Sequence, residues 1–575
     1  MKHLFSGLIV LLWGSLFYSC SPRAANTDTG TVRIHWVRDP ENLDPLVVDN
    51  SSAYEVANLT NCSLLCGDDS TQEFVPWLAE SFPAVEQHGD TLLVSYRLRP
   101  EAAWDNGTPI LARDVAFTLK VMNCPGLPIE MDQAMFGFVR DIRLHPTDSR
   151  QFTLVCLGAS PDHVRTSGDY SILPEHILDP EGELRTIPLP HMARTAATPV
   201  VQAFVKRYQA LQLAKHPERL PGCGPYRVSS WQNGRFLVLA RKSKWWADAL
   251  PVPPRQLQAF PTRLIYQIIP DATTATLALR RGELDVYPMM PAGEFARLQK
   301  SAAAQQSLTF SSTDSYDCLA VSFNVRQAVL RDALTRQALS YLFDAPTLNR
   351  ATQQGTARLS AGLISPRIRQ YYYDSLPLPR FDSRRAAALL REAGWQQQQA
   401  GGWLRSTRQN SREPLQLRLH YRAGESAFET IGLQFRAAAA TLGIPVELYP
   451  TEQSLLTRQV RAGATDLTLR TLTGNPFSYD FTPLLHSRGI GASNTSGFSN
   501  TLSDQLIEQI ATTEDPTRKR KLLRKFQRFL QQERPFTVLY FLPYRIAAAK
   551  RLGKLPVTGI RPGYAAARIR PVSTR

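Results

Sequence analysis

At 575 residues the chain is too long for one compact core and is expected to fold as two or more domains. Apolar residues make up 43% and charged residues 20%, the balance of a globular protein. A formal charge of +16 and a pI near 9.6 raise the question of nucleic acid, but Lys and Arg are scattered rather than gathered into an arm or stripe, so a solvated basic surface is expected and a nucleic-acid partner is not.

Lys2 and His3 precede an apolar run over residues 4–17. The run is shorter than the ~20 residues a spanning helix needs, so residues 1–20 read as a targeting segment. It ends at Ser19-Cys20, and a small residue before a cysteine at this place resembles a lipoprotein signal. On that resemblance Cys20 is the lipidated first residue of the mature chain, and residues 21–30 are a polar tether to a membrane. Plain cleavage and an uncleaved anchor stay open. No later stretch is long and apolar enough to span.

Cysteines follow at 62, 66, 124, 156, 223 and 318. Export would put them where disulfides persist, although spacing does not give their connectivity. Cys62 and Cys66 stand four apart on an expected helix over residues 54–65, but no second cysteine pair and no nearby His completes a set of metal ligands. Buried or disulfide-bonded thiols are expected, and a metal is not.

Residues 32–37 alternate like a strand and lead into Leu43-Asp44-Pro45. Between 91 and 99, Leu92, Val94, Tyr96 and Leu98 share one face of a half-buried strand. Asp105-Asn106-Gly107 then tolerates positive φ and Pro109 fixes the way out, which places Trp104 at a sharp bend. The helix beyond it buries Val115, Leu119 and Met122. Pro76, Leu78, Ala79, Glu80 and Ser81 fit P-x-LA-E-S, Leu98 and Arg99 fit Y-x-x-x-LR, and Trp104, Gly107, Pro109, Ala112, Asp114 and Val115 fit W-x-DG-x-P-x-x-A-x-DV. This stretch thereby resembles the bacterial extracellular solute-binding proteins of the dipeptide and oligopeptide type.

The resemblance implies an α/β fold of the class II periplasmic-binding-protein-like kind, with two α/β lobes around a hinge and an extra α+β domain. It divides the chain into a discontinuous lobe I (31–58, 220–312 and 533–575), an extra domain II (59–219) and a lobe III (313–532). Residues 172–178, ILPEHIL, resemble the family's P-x-H-I near the end of the extra domain, and His176 reads as a packing or capping residue. An extension over 186–221 carries a helix near 200–214. In GCGPYRV, Gly222-Cys223-Gly224 lacks the third glycine of a dinucleotide loop and is followed by a strand, so the phosphate-cradling reading fails. The family's G-x-G-P-Y strand, a hairpin over 231–241 and the pair Trp245-Trp246 fit instead.

Residues 264–269, a helix capped by Asp271 and ended by Gly282, and residues 284–287 form a strand–helix–strand unit that implies a right-handed parallel crossover. Strands are expected at 318–324, 415–421, 444–449 and 466–473, with helices at 425–442 and 451–462 and one opened by Asp382 or Ser383, an alternation that gives an α/β sheet covered on both faces. Residues 396–402 read as a low-complexity loop, residues 516–532 with RKRKLLRK as a solvated helix face, and residues 536–542 as a last strand returning to the first lobe.

In peptide-binding members of the resembled family, a carboxylate in a D-x-x-D-P-like loop holds the ligand's α-amine. The matching loop is residues 474–483, GNPFSYDFTP, in which Asp480 is the only acid and Phe477 or Ser478 replaces the first Asp of the pattern. Two roles stay open for Asp480: amine anchor, or cap of the turn that follows. Trp104, Tyr226, Asn324 and Tyr479 are the other ligand-binding candidates, aromatic or amide groups suited to stacking and hydrogen bonding, each also open to a purely structural reading. No G-x-S-x-G or H-E-x-x-H is present and no acid pair stands out, so no catalytic residue and no cofactor is expected. The expected function is a monomeric, lipid-anchored binding protein of the cell envelope that passes peptides to an ABC transporter permease. An exported hydrolase of peptides or cell-wall fragments, or a transporter-independent sensor, is the alternative.

Overall fold

The computed structural model describes residues 30–571 apart from 49, 159, 379, 400, 407–411 and 492. The expected signal segment, Cys20 and the tether before Gly30 lie outside these residues. Among the described residues an 11-stranded sheet carries both lobes. In chain order its strands are β1 (Thr31–Trp36), β2 (Tyr226–Gln232), β3 (Phe236–Arg241), β4 (Arg263–Ile268), β5 (Val286–Tyr287), β6 (Leu308–Phe323), β7 (Arg358–Leu359), β8 (Leu417–Arg422), β9 (Val446–Thr451), β10 (Leu467–Leu472) and β11 (Phe536–Ala549). Across the sheet they run β9-β8-β10-β6-β11-β5-β1-β4-β3-β2, with β7 also on β11.

Six helices position the cleft and its surroundings: α1 (Ser51–Thr60), α2 (Ala112–Val121), α3 (Pro161–Thr166), α4 (Ala272–Arg280), α5 (Thr501–Thr512) and α6 (Pro516–Glu533). The expected strand–helix–strand unit with parallel strands is present. Asp271 caps α4 by accepting from Thr274 N at 2.7 Å, Gly282 turns at φ +72°, and β4 and β5 lie on either side of β1, both parallel to it.

Two long strands join the lobes. β6 and β11 pair antiparallel from Leu308 opposite Ala549 to Ser322 opposite Phe536, and the ladder breaks between Asp314 and Cys318. Pro543, opposite Asp314, has no N–H to give the ladder, so the break falls where one strand already lacks a donor. On one side of the break, Ile546 and Ala548 join a core built from Val32, Ile34 and Leu264 of lobe I and from Leu92, Val94 and Leu119 of the extra domain. On the other, Leu539 and Tyr540 join Leu319, Leu417 and Leu467 in lobe III. The chain therefore changes lobes inside β6 and β11, while lobe I and the extra domain share one continuous core.

The extra domain is a four-stranded antiparallel sheet in the order Ala84–His88, Thr91–Arg97, Gln151–Leu157, Val139–Leu144, with α2 against it. Leu92, Val94, Tyr96 and Leu98 are buried in alternation, as their period predicts.

Three local expectations need correction. The helix expected over 54–65 is α1. Asn50 opens it earlier by accepting from Ser52 N and Ala53 N, and it ends at Thr60. Cys62 then lies in a loop and Cys66 in a short strand paired with Phe74–Pro76, not together on a helix. Gln396 and Gln397 belong to a small hairpin with Trp403–Ser406, pinned by the buried Trp403 rather than left as a loop. The basic helix α6 is not a solvated face throughout, because Leu523, Phe526, Phe529, Leu530 and even Lys519 are buried.

Candidate ligand-binding cleft

The register of the crossing strands fixes where a ligand can be held. Along β11, Val286 faces Ala548 and Tyr287 faces Ala547, so each step toward the carboxyl end of β5, and of the parallel β1, moves toward the middle of β11. Along β6, Leu467 faces Phe323 and Leu472 faces Cys318, so β10 and the parallel β8 also run toward the middle. The carboxyl ends of both lobes' strands thus converge from opposite sides on the break at residues 315–317. Ligands of open α/β sheets bind outside such carboxyl ends, where the topology switches.

Asp317 is fully buried at the break. Its Oδ2 accepts from the Tyr544 hydroxyl at 2.7 Å and from Arg561 Nε at 3.1 Å, and its Oδ1 accepts from Gly474 N at 3.2 Å. Position 474 requires glycine for close approach, since a Cβ there would stand 2.3 Å from the Tyr316 carbonyl oxygen. The loop after β10 is thereby fastened to the hinge.

From that loop the Phe477 ring reaches the opposite lobe, 4.9 Å from the ring of Phe74, and Tyr479 packs edge-on against Tyr371 at 4.9 Å. The Tyr316 hydroxyl bonds to Gln72, Ser160 Oγ donates to the Ala511 carbonyl at 2.5 Å, and Lys519 Nζ stands 3.8 Å from Asp162 Oδ2. The lobes meet face to face across this junction.

A charged pair bridges this junction. Lys519 and Asp162 are both buried; burial pushes the Lys519 ammonium below its ordinary range and Asp162 pulls it back. Asp162 Oδ1 accepts from Arg165 at 3.0 Å, whereas Oδ2 has no hydrogen-bond partner among the described residues. Arg38 just beyond β1, Arg422 at the end of β8 and Arg561 on Asp317 form a basic counterpart. Arg422, paired with Glu425, is pushed down by burial and then by Arg38 and Arg561. Arg561 is committed to Asp317 and Arg422 to Glu425, which leaves Arg38 as the arginine of this group with no side-chain ion pair among the described residues.

Of the sequence-derived candidates, Tyr479 and Asp480 sit together on the fastened loop. Asp480 is exposed, and its Oδ1 accepts from Thr482 N at 2.8 Å, the cap of the turn that follows. The other three lie elsewhere with their polar atoms already used or buried. The Tyr226 hydroxyl donates to the Pro261 carbonyl at 2.9 Å. Asn324 Nδ2 donates to the Gly463 and Thr465 carbonyls and its Oδ1 accepts from Arg326. Trp104 is buried at its own turn, 6.2 Å from the His176 ring, and His176 in turn bonds to Asn106. Sequence reasoning missed Asp162, Lys519, Tyr316 and Tyr371. One signal was present for Lys519, which shares the spacing of Leu523, Phe526 and Leu530 and so interrupts an apolar stripe.

Residues 73–492 match the family described as "Bacterial extracellular solute-binding proteins, family 5 Middle". The chain belongs to family 5 of the bacterial extracellular solute-binding proteins. The oligopeptide-binding protein AppA of Bacillus subtilis is 21% identical to this family 5 chain over 338 residues, a match that spans 58% of each protein. YejA of Escherichia coli is 24% identical over 572 residues, covering 91% of this chain and 85% of that one. The solved structure of Bacillus subtilis AppA in complex with a nonapeptide superposes with a TM-score of 0.75 at 18% identity, covering 92% of this chain and 97% of that chain. The fold is the class II periplasmic-binding-protein-like fold of family 5, a family of binding proteins and not of enzymes.

Proposed function

We propose that the protein is the substrate-binding lipoprotein of an ABC importer, which captures peptide-like ligands between its lobes and delivers them to a membrane permease. The observation that carries this reading is the convergence of both lobes' carboxyl strand ends on one hinge. On this reading Asp480, next to Tyr479, meets the ammonium end of a peptide, and Arg38 with Arg422 meets its carboxylate end. AppA of Bacillus subtilis, solved with a nonapeptide, supports the same ligand class. Tyr479 and Asp480 are the proposed ligand contacts, with Phe477, Asp162 and Arg422 around them. Asp480 keeps one oxygen on the Thr482 amide and offers the other to the ligand's amine. Cys20 is the proposed lipid anchor and the monomer the working unit at the cell envelope.

Driving a hinge from mostly open to mostly closed takes a differential affinity of about 5.5 kcal/mol, within reach of two buried charged ends plus backbone pairing along the ligand. Titration calorimetry against short peptides tests the reading. Binding without turnover is expected, and Asp480→Asn should weaken it about tenfold or more. Unchanged affinity in that variant removes the anchor role, and a cleaved peptide in the cell removes the transport reading altogether.

A further inference from the structure

The cleft does not use the molecule's buried thiols, and two of them meet. Cys62 lies in the loop where the chain leaves lobe I for the extra domain, and Cys223 lies in Gly222-Cys223-Gly224, where it returns. Both are buried, at 2% and 1% exposure. The return segment lies directly on the end of α1, with Gly224 N donating to the Thr60 carbonyl at 2.9 Å. Its two glycines permit this contact. A Cβ at 222 would stand 2.2 Å from the Thr60 carbonyl oxygen, and one at 224 would stand 2.5 Å from that of Leu59.

Each cysteine is also held in place. The Cys223 carbonyl accepts from Trp245 Nε1 and Trp246 Nε1, both at 2.9 Å, and the Cys62 carbonyl accepts from Ile172 N at 3.0 Å. A Cβ at 224 would also stand 2.9 Å from the Asn61 carbonyl oxygen, so the segment 222–224 runs alongside residues 59–61 and sets Cys223 beside Cys62. Burial first, then the Cys223 thiol, pushes the Cys62 thiol well up, and only Lys242 pulls it back. Burial alone raises Cys124 and Cys156, while burial and nearby carboxylates raise Cys66 and Cys318, in neither case with a second thiol.

We propose that Cys62 and Cys223 are joined by a disulfide in the exported protein, closing the neck of the extra domain. The family's extracellular setting supplies the oxidising compartment. The oxidant is the disulfide of an envelope dithiol–disulfide oxidase. One cysteine thiolate attacks a carrier sulfur and forms a mixed disulfide; the second displaces the carrier thiolate. The protein gives up two protons and two electrons, and the carrier leaves as a dithiol. Both thiols are buried in the folded chain, so the exchange takes place during folding, before the neck closes. The staple fixes the extra domain to lobe I, with which it already shares a core, and leaves β6 and β11 as the moving joint.

The test uses the full chain taken from its own host's envelope into an alkylating trap, denatured without reductant, and digested for mass spectrometry. A peptide linking Cys62 to Cys223 is expected, and it should disappear on reduction with both cysteines then alkylated. Reduction should also lower the thermal midpoint by several degrees, and the Cys62→Ser, Cys223→Ser double variant should lose that response. Alkylation of both cysteines without reductant, or a link from either to another cysteine, overturns the proposal. The mass map needs only the unaltered protein, so it decides the matter even where the variant does not fold, and it does so whatever ligand the cleft binds.

Discussion

His35 shows how one residue couples this fold to pH. It lies in β1, is 2% exposed, donates from Nε2 to the Ile269 carbonyl at 2.8 Å, and rests 4.2 Å from the ring of Tyr287. Burial pushes its pKa down to about 4 from 6.5, against a smaller upward pull from Ile269. The unfolded chain therefore binds this proton more readily than the folded one. The stabilisation is complete above about pH 6.5 and is lost as pH falls toward 4, on the order of 3 kcal/mol in all. In His35→Gln, the difference from the parent in urea-unfolding free energy should shrink by about that amount between pH 7 and pH 4; a constant difference rejects the burial account. The sequence gives no hint of this residue, because a lone histidine in an alternating strand does not say which face is covered twice. At Tyr479 and Asp480, by contrast, the resemblance placed two residues on the loop that the hinge holds. It did not place Asp162, whose role comes from α3 meeting α6 across the whole chain.

At the scale of elements, helix α2 was readable almost to the residue, and its start shows why. The Asp114 carboxylate accepts from Leu111 N at 2.8 Å and from Glu175 N at 3.1 Å, so one side chain caps the helix and anchors the ILPEHIL segment to it. Burial pushes its pKa up to about 6, with the two amides opposing. Asp114→Ala leaves both buried amides unpaired and should cost about 2–4 kcal/mol, read from denaturant unfolding. A loss below about 1 kcal/mol means that water replaces the carboxylate. The end of α1 was not readable in the same way. Apolar spacing continues past Thr60, but the chain turns extended there because the return segment needs its carbonyls, a demand made by residues 222–224 and visible only once the two are packed together.

For the whole molecule, the proposed function runs through the hinge, and contacts between lobes set its balance. Gly67 faces the Phe477 ring, and a Cβ at 67 would stand 2.5 Å from it. Gly67→Ala should disfavour the closed form by about 1 kcal/mol or more, the ordinary cost of overpacking. That is roughly a fivefold fall in the closed-to-open ratio, seen as a larger radius of gyration in solution scattering at a ligand concentration that half-closes the parent protein. An unchanged radius means the ring contact does not hold the lobes together. Because lobe I and the extra domain share a core while lobe III has its own, the motion is expected to bend β6 and β11 at the break and nowhere else.

The amino-acid sequence alone determined the family motif, the alternating strands, the crossover around α4 and the loop that carries Tyr479 and Asp480. Each of these is local, fixed by side-chain period, turn chemistry or a short pattern. Tertiary structure alone decided where the chain crosses between lobes, that Lys519 is buried against Asp162, that Tyr226, Asn324 and Trp104 spend their polar groups inside the fold or bury them, and that Cys62 meets Cys223. Those facts depend on which distant segments share a carbonyl or a cavity, and spacing along a chain carries no record of distance across it.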